Sequence, residues 1–308
     1  MTLLSTRSYV AAGMLALAGM VGSVSVAAAP PAAAAAAKKE ITWAGCEVTK
    51  TAFMAELAKG FEAKTGIKVK LQGGGASAGI RLTASGKTDT GGTCRHRLFV
   101  NGMPVGIELR SHMYQVAWDA LVVITHPTNP VSNISVADLK KVYNGKIKNW
   151  KELGGEDQPI VIGIHDDKYD GVGQMFRMLA FGYQEYEFLA DVQKFASTGP
   201  LESFVEKTPY SIAVDGISSA KRRKLKVLSL DNMVPTKEMV GTGKYPWYRP
   251  LYLVTNAEPS AESLQLIEYA LSPEGQKIIA DQGTVNLSEG QALEPLWEKT
   301  KAKLGFQF

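Results

Sequence analysis

Cysteine and histidine are scarce in this sequence, with two of one and four of the other in 308 residues. Two thiols cannot build a disulfide framework or a four-thiolate zinc site. Four histidines exclude a His-rich metal store. An excess of one charge is also lacking. With 34 basic and 30 acidic residues the net charge is +4, too small to imply nucleic acid or an acidic membrane as an obligatory partner. Neither Cys-x-x-Cys-His nor His-Glu-x-x-His occurs, which removes covalent c-type haem and zincin chemistry. No repeat of fixed period is present. What remains is a globular composition, 45% apolar and 8% aromatic, enough for the core of one large or two modest domains.

Charge is nearly absent from the first stretch, where Arg7 is the only charged residue before Lys38. The apolar and small residues from Ser8 to Ala29 read as a secretory signal peptide, followed by an Ala/Pro tether that ends near residue 37. The alternative, a membrane anchor, is disfavoured by the weak hydrophobicity of Ala, Gly and Ser and by Pro30-Pro31. The expectation is an exported, periplasmic protein with no stable membrane insertion after cleavage, in a compartment where a disulfide can persist.

Beyond the tether, short apolar runs alternate with helical periodicity. Ile41-Thr42-Trp43-Ala44 reads as a strand. Phe53, Leu57 and Phe61 mark one face of a helix that stops near Gly66. Ile67–Leu71 alternates as a half-buried strand, and Gly73–Gly79 reads as a flexible turn feeding a helix near Ile80. Pro159–Ile164 followed by Met175–Phe181 repeats the strand–loop–helix order. The fold class is α/β with a mostly parallel sheet. Ligands of such sheets collect where loops leave the carboxyl ends of strands and meet helix N-termini, which favour anions. Loops 44–50, 73–79 and 165–173 have that placement, and Gly91–Cys94 is a fourth candidate. Lys221-Arg222-Arg223-Lys224 reads as a solvated face.

Three stretches carry a family resemblance. They are Asn129-Pro130-Val131-Ser132-Asn133-Ile134 with Tyr143-Asn144-Gly145-Lys146-Ile147-Lys148-Asn149-Trp150, then Gly243-Lys244-Tyr245-Pro246 with Arg249–Thr255, and Ser272-Pro273-Glu274-Gly275-Gln276-Lys277. On these the chain resembles the phosphate-type solute-binding proteins of ABC importers over nearly all of 40–290. The resemblance implies a type II periplasmic binding protein. Its two α/β lobes, 38–122 with 251–308 and 123–250, would each carry a mostly parallel sheet and be joined by two hinge crossings. A small molecule or ion would sit in the cleft, hinge closure would bury it, and a membrane permease would recognise the loaded form. A periplasmic sensor subunit serving a signalling receptor is the alternative role. Binding without turnover is implied, so no catalytic residue and no cofactor is expected, although Cys46 and His165 could imitate a nucleophile–base pair.

Carried over position by position, the resemblance places ligand contacts at Gly45, Cys46, Glu47, Ser77, Thr93, Cys94, Arg95, His165, Asp170 and Gly171. Several depart from the family pattern. Cys46 replaces a serine, Glu47 its neighbour, and Cys94 the acidic acceptor. Asp170 falls on a serine and Val172 on a threonine, and the usual arginine near His165 is missing. A carboxylate about 4 Å from a dianion costs roughly 4 kcal/mol per charge pair at an effective dielectric of about 20. Altered specificity is the expectation, with Arg95, Arg97 or Lys168 able to restore positive charge. Cys46 and Cys94 should lie close together, either as a disulfide within one lobe or as thiols. As thiols they could hold a metal ion with His96 or His165, or bind a thiophilic oxyanion such as arsenite. His126 and His112 have no motif context. Trp43, Trp118 and Tyr114 could stack on a larger ligand.

Overall fold

A computed structural model describes residues 38–100 and 102–305. The signal-peptide and tether reading of 1–37 lies outside the described residues. The strands are β1 Glu40–Gly45, β2 Lys68–Gln72, β3 Thr90–Thr93, β4 Phe99–Val100, β5 Met103–Pro104 and β6 Ser111–Thr125. They continue as β7 Asn133–Ile134, β8 Val161–His165, β9 Val192–Phe195 and β10 Ser211–Gly216, then β11 Lys226–Leu230, β12 Tyr248–Asn256 and β13 Val285–Asn286. The main sheet runs β2-β1-β3-β12-β6-β10-β8-β9, with β11 and β13 also pairing β6 and β7 pairing β11. β4 and β5 form a separate hairpin.

The α/β reading holds, with one refinement of the sheet. β1 pairs in parallel with β2 and β3, β8 with β9 and β10, and β7 with β11. Each antiparallel pair of the main sheet involves β6 or β12. These two long strands run side by side through the middle of the molecule. The first part of β6 pairs with β12, and its last residues, Leu121–Thr125, pair with β10. The sheet is therefore mixed where the long strands cross from one half to the other, and parallel on either side.

Local chemistry explains most of the elements. Phe53, Leu57 and Phe61 recur at four-residue spacing and all are fully buried, the stripe that docks a helix on a sheet. Their helix ends at Gly66, whose φ of 74° supplies the left-handed cap. Its first turns are irregular. A short α segment, Glu47–Thr49, passes through a π segment, Lys50–Met54, into Ala55–Thr65. The next helix starts earlier than its sequence suggests, at Gly75 rather than near Ile80. Gly74 and Gly75 adopt φ of 141° and 87°, so the glycine run is a sharp entry into the helix rather than a free turn.

Gly91-Gly92 is not a ligand loop. It forms the middle of buried strand β3, where helix Gly75–Ala84 packs backbone against backbone. A Cβ at Gly91 would lie 2.0 Å from the Gly79 carbonyl oxygen, and one at Gly79 would lie 2.2 Å from that of Gly92. Gly91→Ala should therefore destabilise the fold by about 3 kcal/mol, at the upper end for overpacking. Gly106→Ala, where a Cβ meets nothing within 4 Å, should be nearly neutral. Equal urea midpoints for the two variants would refute this reading of the contact.

Candidate functional site

A cavity of about 470 Å³ opens between the two halves of the sheet. The end of β1, Cys94 just past β3 and the loop after β2 line one wall, and β8 and the starts of helices Gly171–Phe181 and Thr198–Lys207 line the other. Gly45, Cys46, Glu47, Cys94, His165, Asp170 and Gly171 all reach it. Ser77, Thr93 and Arg95 are not among its lining residues.

Cys46 and Cys94 are brought together by strand register. β1 and β3 run parallel with Gly45 opposite Gly92, so the residues just past their carboxyl ends emerge side by side. The two sulfur atoms stand 3.2 Å apart, and both residues are buried free thiols. Cys46 is also the N-cap of the helical run, with Sγ accepting from Thr49 N at 3.5 Å and lying 3.3 Å from Thr49 Oγ1. Burial raises its pKa. The hydrogen bonds to Cys94 and Thr49, with the charge of Arg249, outweigh burial and hold the thiol below its usual value. Its partner Cys94 is pushed well above, first by the hydrogen bond with Cys46 and then by burial.

Asp170 is placed unusually. It is the N-cap of helix Gly171–Phe181, yet its side chain makes no capping bond there. Its carboxylate crosses the cavity and accepts the backbone N–H of Ser77 in the first turn of helix Gly75–Ala84. That helix has no side-chain cap of its own, so a residue from the opposite wall caps it. A Cβ at Gly75 would lie 2.4 Å from Asp170 Oδ2, and only glycine leaves room for this contact. Gly171, with φ of 31°, sits against Cys94, its missing Cβ 3.2 Å from Sγ.

Other sequence candidates have structural partners. Arg95 is 1% exposed and grips Glu108 through both terminal nitrogens, at 3.0 and 2.8 Å. It also donates to Ser77 Oγ at 2.9 Å, so it is committed to the wall and cannot restore positive charge to a ligand. Arg97 donates to the Glu108 and Ser111 carbonyls, and Lys168 pairs with Glu187. His96 does not join the thiols. Its Nδ1 contacts Tyr252 Oη at 2.9 Å and its Nε2 accepts from Trp297 Nε1 at 3.1 Å. Burial, then Lys301 and Arg95, lower its pKa to about 3. Among the described residues no group of three or more His, Cys, Asp or Glu side chains is placed to hold a metal, and of the candidate ligands Cys46, Cys94, His96 and His165, His96 is held away from the thiols by Tyr252 and Trp297. Trp43 is fully buried in the core. Trp118 packs on Tyr248 and Trp297, away from the cavity.

Gly75-Ala76-Ser77-Ala78-Gly79 has the spacing of a hydrolase nucleophile elbow. Ser77 lies within the helix, however, and its hydroxyl accepts from a guanidinium, which cannot act as a base. Arg222 and Arg223 are exposed, as expected of the charge run, yet they also stand at the cavity mouth. Arg223 pairs with Glu202 and Glu206, and Arg222 donates to Thr51 O and Gln282.

Sequence reasoning missed Arg249, Asp119, Glu202 and Asp215. Arg249 is fully buried, pairs with Asp119 at 3.1 Å and leaves Nε and Nη1 without hydrogen-bond partners. A lone charge inside each of two apolar runs, Val116–Thr125 and Tyr248–Thr255, was the available signal. Glu202, 1% exposed, has its pKa raised to about 7 by burial and then by Asp215. Because the folded state holds this proton more tightly, its contribution is full below about pH 4.5 and fades as pH rises through about 7. His96 has the opposite sign, contributing above its usual pKa and losing that contribution as pH falls toward 3. The wild-type minus Glu202→Gln difference in unfolding free energy isolates Glu202. It should fall by up to about 3 kcal/mol between pH 4.5 and 7. A flat difference in urea titrations would remove the assignment.

No helix among the described residues is long and apolar enough to cross a membrane. The model of the PBP superfamily domain matches residues 30–274. A phosphate-binding protein PstS from Bacillus subtilis is 26% identical over 251 residues, covering 81% of each chain. PstS from Borreliella burgdorferi is 33% identical over 180 residues, covering 56% of this chain and 64%, under two thirds, of that protein. A substrate-binding protein assigned to a phosphate ABC transporter of Clostridium perfringens, solved with bound phosphate, superposes with a TM-score of 0.69 at 28% identity. It covers 80% of this chain and 99% of its own. The match over most of the length, on a fold whose cavity opens between two sheet halves, places the chain in the PBP superfamily, with similarity to its phosphate-type solute-binding proteins.

Proposed function

We propose that this chain is the exported, extracytoplasmic solute-binding component of an ABC importer, and that its specificity has moved away from the phosphate dianion. Residues 38–122 with 251–308 and residues 123–250 act as the two lobes. They close on a small solute in the cavity, and a permease receives the loaded form. The names of the relatives support the transport role, and the cavity supports a small solute.

One observation carries the change of specificity: the Asp170 carboxylate already occupies the N–H of Ser77 at a helix N-terminus, where an anion would bind. The rest of the lining agrees. Three carboxylates, Glu47, Asp167 and Asp170, line the cavity against two arginines, Arg222 and Arg223, and both arginines are hydrogen-bonded to protein. A dianion entering this cavity is repelled by a net negative wall, whereas a neutral solute is not and a cationic one is attracted. Thermal-shift titration with phosphate, sulfate and uncharged oxyacids tests the reading, because a solute that binds only the native state raises the melting temperature. A large shift with phosphate overturns it.

A further inference from the structure

We propose that Cys46 and Cys94 form a dithiol site that captures a trivalent arsenic or antimony oxyacid, such as As(OH)3, as a covalent adduct in the cavity. The proposal deepens the functional reading above and rests on it.

The geometry selects the class. Thiolate bonds to a borderline-soft centre are about 2.3 Å long. A linear two-coordinate ion would hold two sulfurs about 4.6 Å apart, and a tetrahedral one about 3.8 Å. A pyramidal centre with bond angles near 90° holds them about 3.3 Å apart. The sulfurs of Cys46 and Cys94 stand at 3.2 Å, the spacing of the pyramidal case. Zinc lacks further donors besides, since among the described residues no third His, Cys, Asp or Glu completes a metal site. A trivalent arsenic centre needs only the two sulfurs and a retained hydroxyl.

The surroundings suit the chemistry. Arsenous acid is neutral near pH 7, so the acidic lining does not repel it. Both cysteines line the cavity. Behind them lies Arg249, fully buried, with two nitrogens lacking hydrogen-bond partners. It is electrostatically coupled to both sulfurs, a charge that stabilises the attacking thiolate. Two S–H bonds and two As–OH bonds break, two As–S bonds form, and two waters leave. Arsenic remains trivalent, so no oxidant or reductant is needed.

The test uses the full chain, prepared without oxygen and titrated calorimetrically with sodium arsenite, with native mass spectrometry to read the adduct. Support is one arsenic per chain, bound with loss of two waters. Cys46→Ser and Cys94→Ser should each weaken binding at least about a hundredfold, because the second bond forms intramolecularly at high effective concentration. Should a serine variant fail to fold, blocking both thiols of the native chain with methyl methanethiosulfonate should abolish the adduct instead. Equal arsenite affinity after blocking, or thiols unreactive after unfolding until a reductant is added, overturns the proposal. No response to arsenite while another small solute raises the melting temperature also overturns it, and leaves the solute-binding reading standing. Adduct formation with no effect of any solute on lobe closure, read by small-angle scattering, supports the dithiol site and removes the transport reading.

Discussion

Asp119→Ala should lower the unfolding free energy by about 3–5 kcal/mol, the cost of stranding one partner of a buried ion pair. Asp119 on β6 lies directly opposite Arg249 on β12, and neither side chain is exposed. Asp119 Oδ2 takes Arg249 Nη2 at 3.1 Å, while Oδ1 takes Ser218 Oγ at 2.6 Å and Ser218 N at 3.2 Å. One carboxylate thus ties together both crossing strands and the short helix Ile217–Ala220. Truncation leaves a guanidinium in the core with no counter-charge, and arginine cannot shed its proton to escape. For a folded unit of this size the loss corresponds to a fall of about 10 °C in melting temperature. Combining Asp119→Leu with Arg249→Met should cost less than either change alone, because removing both charges removes the desolvation penalty. A shift under about 2 °C for Asp119→Ala would mean that the pair does not hold the crossing together.

Asp170→Ser should raise the affinity of this chain for phosphate. The substitution restores the hydroxyl found at this position in the family the sequence resembles. It also removes a charge worth roughly 4 kcal/mol per charge pair against an anion at about 4 Å. The N-terminus of helix Gly75–Ala84 then has a free N–H at Ser77 for a phosphate oxygen. An affinity gain of a hundredfold or more is expected by calorimetry, and Asp170→Asn should gain less because its amide still fills the space. The gain stays below the full Coulomb figure because the missing arginine is not restored. Tight phosphate binding by the wild type, weakened by Asp170→Ser, would show that this carboxylate helps the ligand rather than replacing it.

Much of the architecture is legible in the residues alone. Strand 41–44 appears as Glu40–Gly45, and the Phe53, Leu57, Phe61 stripe is a helix ending at Gly66. The strand read at 159–164 is Val161–His165. These elements follow from periodicity and end signals within about a dozen residues, where local physics dominates. The start of helix Gly75–Ala84 was not legible. Glycine is a poor helix former, and what holds it there is the close backbone approach to β3, a contact between segments distant in sequence.

The site divides in the same way. Sequence determined which groups are available: two thiols, a carboxylate where the resemblance places a hydroxyl, and no arginine beside His165. Tertiary structure alone decided their use. Parallel register between β1 and β3 sets the sulfurs side by side across 48 positions of sequence. Glu108 claims Arg95, and Asp119 places Arg249 behind the thiols. Such assignments depend on which partner reaches a charged group first in a desolvated interior, where an unpaired charge is too costly to persist. No local pattern encodes that competition, because its contestants meet only when the sheet is complete.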